Sequence, residues 1–337
     1  MFEALVTLCL LGEPQICRDA LVPGAEATTR AGCEAALGRL ALPEGAWRAG
    51  APFCAARGEV LDFEEVAPGL FVHMGAVAEP DGVNRGDVSN VVFVVGREAV
   101  AVIDSGGARW VGEATWRALR EVTDLPVSHV VLTHMHPDHL FGAGVFAGAE
   151  VVGHAGLARA LADRAENYEE SFAGLIGAGF VGSSVPEVTV PVDAAMEIDL
   201  GHVLLEVRAW PRAHTGTDLT VRLGDVVIAG DLVFDRHTPA LDGSVLGWLE
   251  VLDALEGQGA RVVPGHGGPV LAMGAALAPM RRYLEVLRDD TRAAVAAGER
   301  LGEAVEHIAQ GEAAHWALFD AYNKRNATVA FTELEWE

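Results

Sequence analysis

The sequence predicts a mixed α/β fold in which two sheets pack face to face with helices outside. Three observations predict it. Short apolar runs of strand character recur in two groups, one around Val88–Leu132 and one around Val188–Pro264. Each group is accompanied by stretches of helical period, Trp110–Glu121 and Leu157–Glu170 in the first, Leu246–Leu255 and Ala275–Ala297 in the second. All four cysteines lie in the first 54 residues, which sets a small α+β unit (1–56) apart from the main domain (57–337).

The unit 1–56 opens with the apolar strand Ala4–Gly12, then a cysteine loop, the helical stretch Glu26–Leu40 and the segment Ala46–Cys54. Alone it is close to the size that needs covalent staples. Val60–Phe71 and Val88–Val95 read as strands. Ala99–Ile103 reads as a buried strand ending at Asp104-Ser105-Gly106-Gly107. The amphipathic helix Trp110–Glu121 follows, then the strand Val127–Leu132. Pro137 or Asp138 starts a helix through Phe146, and Val151–Gly153 and Leu157–Glu170 are a strand and a helix. Val188–Val190, Met196–Leu200, His202–Trp210, Leu219–Leu223 and Val226–Ala229 are closely spaced strands separated by turn signals. After the helix Leu246–Leu255 come the last strand, Arg261–Pro264, the long helix Ala275–Ala297 and the helical segment Glu303–Phe319. Asn326–Glu337 suits either helix or strand.

The chain has 337 residues, 50% of them hydrophobic, enough for one domain of ordinary size plus the smaller unit. Its 24 basic and 48 acidic residues give a net charge of −24, and Lys324 is the only lysine. Such a surface repels phosphate backbones and anionic membranes, which argues against both as partners. Ala4–Gly12 is too short to span a bilayer, and Glu3 in place of a basic flank makes it a poor signal peptide. An exported form would have shed a signal ahead of Met1. Cys9, Cys17, Cys33 and Cys54 suit two disulfides formed in an oxidising compartment, with three pairings open. No Cys-x-x-Cys pair suggests a zinc ribbon.

The chemistry concentrates in Thr133-His134-Met135-His136-Pro137-Asp138-His139, directly after an apolar strand. His134, His136, Asp138 and His139 are candidate metal ligands. Three more follow later strands: His214 in Ala213-His214-Thr215-Gly216, Asp231 in Ala229-Gly230-Asp231, and His266 in Pro264-Gly265-His266-Gly267. Each lies near glycine or proline at a strand end, so the side chains gather at one rim, where glycines let the backbone come close. A lone histidine after a strand is usually structural, and His73, His129, His154, His202, His307 and His315 are read that way. Seven donors in this order are not so explained. Three neutral imidazoles leave one tetrahedral position open for water. A second metal about 3.5–4 Å away would share that water and lower its pKa toward about 7. Asp138 would orient the water or carry a proton. Zinc suits the donors best, and donor type alone leaves iron or manganese open.

This series of motifs resembles that of the metallo-β-lactamase-fold hydrolases, over residues 57 to about 275. The resemblance implies a four-layer αβ/βα sandwich with two metals at one edge between the sheets. It assigns His134, His136 and His214 to the first metal, Asp138, His139 and His266 to the second, and Asp231 as the bridge, with Asp138 and Asp231 the catalytic carboxylates. Asp104 would support the site rather than bind metal. The stretches Asp231–Pro239 and Leu241–Trp248, the turn Pro264–Gly267 and the cysteine-bearing amino end are similar to the quinoprotein relay system zinc metallohydrolases, whose relatives include some encoded near periplasmic sulfur-oxidation genes. That implies a periplasmic protein of uncertain substrate, with a quinoprotein system as partner. Together with the donor set it leads to the expectation of a zinc hydrolase acting on a small ester, thioester or lactam-like substrate. The alternatives are a non-hydrolytic, metal-containing accessory protein of that system, and a mononuclear iron persulfide dioxygenase-like enzyme, which would use fewer of these donors. If the substrate carries a carboxylate, Arg212 and Arg236 are the cations nearest the motifs in sequence, and His237 is expected to line the cleft. The acidic segment Glu303–Glu337 disfavours a glutathione thioesterase, and the net charge disfavours a nuclease.

Overall fold

A computed structural model describes residues 1–337, and its strands divide into three sheets. In the amino-terminal sheet, β1 (Phe2–Leu10) and β2 (Cys17–Ala27) form an antiparallel hairpin. After the short helix α1 (Arg30–Glu34), β3 (Trp47–Ala49) and β4 (Phe53–Ala56) both pair with β1. The helix expected over Glu26–Leu40 shrinks to α1 and one 3-10 turn at Leu37–Arg39. β2 continues to Ala27, and Gly32 and Gly38 weaken helix propensity in what remains. Thr29 caps α1 by accepting from Gly32 N. The open pairing question resolves as Cys9–Cys17, directly opposed across the hairpin, and Cys33–Cys54, which joins α1 to β4.

The second sheet has the order β11-β10-β9-β8-β7-β6-β5. In chain order it contains β5 (Glu64–Ala67), β6 (Leu70–His73), β7 (Val91–Val95), β8 (Val100–Ile103), β9 (Val127–Val131), β10 (Glu150–His154) and β11 (Val190–Val192), with α2 (Arg109–Val122) between β8 and β9 and α3 (Leu157–Ile176) after β10. Val60–Phe71, expected as one strand, is a hairpin that turns at Pro68-Gly69, where Gly69 has φ +74°. The third sheet runs β12 (Ala195–Asp199), β13 (Leu204–Ala209), β14 (Leu219–Leu223), β15 (Val226–Ile228), β16 (Arg261–Val263) and β17 (Leu271–Ala272) in spatial order. α4 (Val245–Glu256), α5 (Met273–Ala296), α6 (Leu301–Ala304) and α7 (Phe319–Leu334) complete the chain.

Side-chain alternation assembles the layers. Val92 and Val94 of β7 and Ala101 and Ile103 of β8 point between the two larger sheets, where they meet Val226 and Ile228 of β15 and Val263 of β16. Their neighbours Val91, Phe93, Val100 and Val102 point the other way, into the core shared with α2 and α3. Val227 and Val262 likewise face α4, α5 and α7. The result is the four-layer αβ/βα sandwich. Two expected helices do not form as continuous helices. Pro137–Phe146 forms two 3-10 turns, Pro137–His139 and Ala143–Val145. The bend between them presses Gly142 on the Ser105 carbonyl, so closely that a Cβ would lie 2.0 Å from that oxygen. Glu303–Phe319 keeps only α6 and a 3-10 turn, because Ala309 and Leu318 adopt positive φ (56° and 61°). Most of Asn326–Glu337 belongs to α7.

The amino-terminal sheet is fastened to α2 by charge. Glu3, the one charged residue in the apolar strand β1, is 1% exposed and accepts from Arg117 Nη2 at 2.8 Å. Arg18 of β2 pairs with Glu113 of the same helix at 2.8 Å. Removing one member of a buried pair strands the other charge. Arg117→Met is therefore expected to lower unfolding free energy by about 3–5 kcal/mol in denaturant titrations. A loss below about 1 kcal/mol, the range of exposed pairs, would show that the contact does not fasten the sheet.

Candidate metal centre

All seven donor residues sit on loops at strand ends. His134, His136, Asp138 and His139 follow β9, His214 follows β13, Asp231 follows β15 and His266 follows β16. β13 and β15 each run antiparallel to β14, and β16 runs parallel to β15, so these three strands deliver their carboxyl ends to the same rim. Glycines allow the loops to meet. Gly230 holds φ +50° against Thr133, and a Cβ on Gly265 would lie 1.9 Å from Asp231 Oδ1. His214 is held by the turn behind it, where the buried Asp218 carboxylate accepts from Thr215 N at 2.9 Å and Thr215 Oγ1 at 2.6 Å.

The donors form two groups, His134–His136–His214–Asp231 and Asp138–His139–His266, with the donor atoms of each group within 4.8 Å of one another. Asp231 stands between them. Its Oδ2 lies 3.6 Å from His214 Nε2 and 3.8 Å from His134 Nε2, and also 3.4 Å from His266 Nε2. Its Oδ1 lies 3.2 Å from His139 Nε2. Asp138 Oδ2 is 3.4 Å from His266 Nε2 and 3.5 Å from His139 Nε2.

Every imidazole turns one nitrogen inward and has the other held by oxygen. His139 Nδ1–H donates to Asp104 Oδ2 at 2.8 Å, and His266 Nδ1–H to the Val88 carbonyl at 2.8 Å. His214 Nδ1–H donates to the Ala240 carbonyl. Thr133 Oγ1 donates to Asp104 Oδ2 (2.7 Å), so it accepts from His134 Nδ1–H (3.0 Å). His136 is reversed: Nε2–H donates to Asp242 Oδ2 at 3.3 Å, and Nδ1 faces His214 Nε2 at 3.0 Å. Protons held outward leave lone pairs inward, the tautomer a metal requires. His134 Nε2, His139 Nε2 and Asp231 Oδ1 are buried and make no aligned hydrogen bond. Such orphaned atoms cost about 1–3 kcal/mol each, and a divalent cation satisfies converging imidazole and carboxylate lone pairs. The donor set therefore fits a divalent metal.

Protons compete for these lone pairs, and unequally. Burial alone would lower the pKa of His139, but the Asp231, Asp138 and Asp104 carboxylates lift it well above the usual imidazole range. Burial is likewise overcome at His266, which Asp231 and Asp138 raise to about 9. His134, by contrast, is driven well down by burial and by His139, and His214 falls to about 3 through burial and His136. Burial would raise Asp231, yet His266, His139 and His134 hold it well below the carboxylate range.

Four of the donors, His136, Asp138, Asp231 and His266, line the floor of a cleft of about 600 Å³ between α3 and α7. Asp104 lies behind the donors, accepting from His139 Nδ1–H and from Thr133 N and Oγ1. His237 lines the cleft, with its ring 4.8 Å from that of His266. Arg212 and Arg236 do not: Arg212 is exposed elsewhere, and Arg236 folds back on Asp235 at 3.2 Å. Their nearness in sequence misleads because the loops diverge past the strand ends. Asp242, inside the Leu241–Trp248 stretch but given no role by the sequence, holds His136 and is itself held by Arg164 of α3 at 2.7 Å. No motif or spacing pointed to the α7 residues in the cleft wall. A groove of about 770 Å³ along β12–β14 contains none of the seven donors.

The model of the Metallo-beta-lactamase superfamily matches residues 84–298, a span that contains all seven donors. The chain belongs to the metallo-beta-lactamase superfamily. The amino-terminal sheet and α7 lie outside the matched span. Among solved structures, a beta-lactamase domain protein from Burkholderia ambifaria is 18% identical with a TM-score of 0.61, covering 82% of this chain and 87% of that one. A metallo-beta-lactamase family protein from Thermus thermophilus is 20% identical with a TM-score of 0.58, covering 80% and 93%. The inverting sec-alkylsulfatase Pisa1 from Pseudomonas sp. is 16% identical with a TM-score of 0.61, covering 81% of this chain but 50% of its own. At these identities the likeness shows the fold. No curated protein sequence matches the chain. The family's members are largely hydrolases, and this chain has a His/Asp cluster suited to a divalent metal.

The unequal proton affinities give a test. At pH 7 a metal entering the Asp138–His139–His266 group competes with protons, because the neighbouring carboxylates lift His139 well above the imidazole range and His266 to about 9. His134 and His214 are already neutral there. Calorimetric metal titrations between pH 6 and 8, repeated in buffers of different ionisation enthalpy, are expected to resolve one step that releases protons and one that releases almost none. Affinity in the first step should rise with pH by about one log unit per pH unit for each proton displaced. Equal proton release in both steps would contradict this electrostatic picture.

Proposed function

We propose that the protein is a dinuclear zinc hydrolase of the periplasm, acting on a small ester, thioester or lactam-like substrate in association with a quinoprotein-dependent oxidation system. The observation that carries the reading is the position of Asp231 between two donor groups that together use all seven residues. A mononuclear iron enzyme would leave several of these converging donors idle. Bound zinc would supply Lewis acidity toward both water and the scissile group. The chain's residues do the rest. Asp138, whose side chain is 17% exposed against 4% for Asp231, is the more open to the cleft of the two carboxylates in the donor groups. It can take a proton from the attacking water and pass it to the leaving group. Phe172 and Leu175 of α3 and Val329 of α7 supply apolar wall surface beside the donors.

The compartment rests on separate support. The two disulfides suggest an oxidising environment. No helix is long and apolar enough to cross a membrane. The quinoprotein association rests on the resemblance over Asp231–Trp248. That stretch carries Ala240 and Asp242, the groups that hold His214 and His136.

The test is hydrolysis by zinc-loaded protein of a panel of thioesters, lactones, β-lactams and organic sulfur esters. At least one class is expected to turn over, and Asp231→Ala to lose at least about 100-fold, more than outer-sphere changes at metal sites usually cost. No turnover of any class, or an Asp231→Ala protein that keeps its rate, would overturn the proposal.

A further inference from the structure

We propose that Arg325 of α7 is the anchoring cation for an anionic group on the substrate, so that the cleft selects small organic anions with an apolar body. This deepens the hydrolase reading and rests on it only for the bond that is cut.

Arg325 is the only lysine or arginine in the cleft lining. Its basic neighbours are occupied: Arg164 pairs with Asp242 at 2.7 Å, and Lys324 pairs with Glu306 at 2.6 Å. Arg325 makes no ion pair and lies over the Tyr322 ring, 5.9 Å from its centroid. The chain has 48 acidic and 24 basic residues, so an arginine that faces a cleft without a carboxylate partner stands out. The cleft's own carboxylates do not take that place. Asp138 and Asp231 belong to the donor groups, Asp242 is held by Arg164 and His136, and Glu79 stands beside the Tyr322 hydroxyl.

The position is fixed. Tyr322, Arg325 and Val329 follow helical spacing and share the cleft face of α7. One step round the helix, Asn326 Nδ2 donates to the Pro239 carbonyl at 2.6 Å and to Tyr283 Oη at 2.7 Å, and its Oδ1 accepts from Leu241 N at 2.9 Å. Ahead of the helix, Thr238 N donates to the Ala317 carbonyl at 3.0 Å. α7 is therefore bound to the 237–242 loop, the same loop that holds His214 and His136. Rings bridge the space to the donors: Tyr322 lies 4.7 Å from His237, which lies 4.8 Å from His266. The cleft that holds the donors is therefore also lined by the apolar side chains Phe172, Leu175 and Val329 and by the Arg325 guanidinium. That planar fork pairs bidentately with a carboxylate or sulfate oxygen pair.

The test is equilibrium binding to the zinc-loaded full chain, using 4-phenylbutyrate and its neutral analogue 4-phenylbutanamide as probes. Bound zinc attracts carboxylates too, so the reading is the effect of each variant. Arg325→Ala is expected to weaken the acid at least about tenfold and the amide hardly at all, with zinc content unchanged. Arg212→Ala, which removes an exposed arginine outside the cleft, should leave both probes unaffected. Acid binding by Arg325→Ala within about twofold of the unaltered chain would overturn the proposal, as would equal weakening of acid and amide. If no ester, thioester or lactam is hydrolysed but Arg325→Ala still weakens the acid selectively, the hydrolase reading falls and the anion site stands.

Discussion

A buried carboxylate that no arginine or lysine balances is the constraint on which this structure depends. Asp231 is 4% exposed, and the basic groups within 4 Å of it are the imidazoles of His134, His139, His214 and His266. An uncompensated buried charge costs several kcal/mol. The chain brings Asp138 and Asp104 to the same place, which adds to the negative charge. Protons on His139 and His266 provide one form of compensation, and divalent cations provide another. The site is held ready for either because the sandwich beneath it is dry and apolar: Ile103, Val131, Ile228 and Val263 fill the space between the sheets at the strand ends that carry the donors.

One loop joins that centre to the cleft. Between His237 and Asp242 the backbone gives the Ala240 carbonyl to His214 and the Asp242 side chain to His136. The same segment bonds to Asn326 of α7 through Pro239 and Leu241, and to Arg164 of α3 through Asp242. The two cleft walls and the first donor group are therefore positioned by a common element. A substrate gripped by a wall is gripped by a part whose orientation relative to the donors is already set, which is how binding energy becomes useful at a reacting bond.

The seven donors were legible in the sequence because each follows an apolar strand and stands near glycine or proline. The strand places the residue, and the glycine admits it. The support role of Asp104 came from the family resemblance, and its contact with His139 Nδ1–H agrees with it. The four-layer fold was legible from period-two and period-3.6 patterning. What failed did so where tertiary contact overrides propensity. Glu26–Leu40 has helical composition, yet β2 pairs with β1 as far as Ala27. Pro137–Phe146 begins like a helix, but Gly142 is drawn onto Ser105 and the chain turns. Arg212 and Arg236 are close to donors along the chain and turned away from the cleft in space. Arg325 and Asp242 each reach the cleft from segments far along the chain from the donor motifs, and no spacing rule connects them to His136 or His266.

The metal content of the protein as purified tests the central claim most directly, measured by elemental analysis against a known protein mass. A site bridged by Asp231 is expected to hold about two zinc ions per chain. One zinc or fewer per chain, or iron in place of zinc, would contradict it.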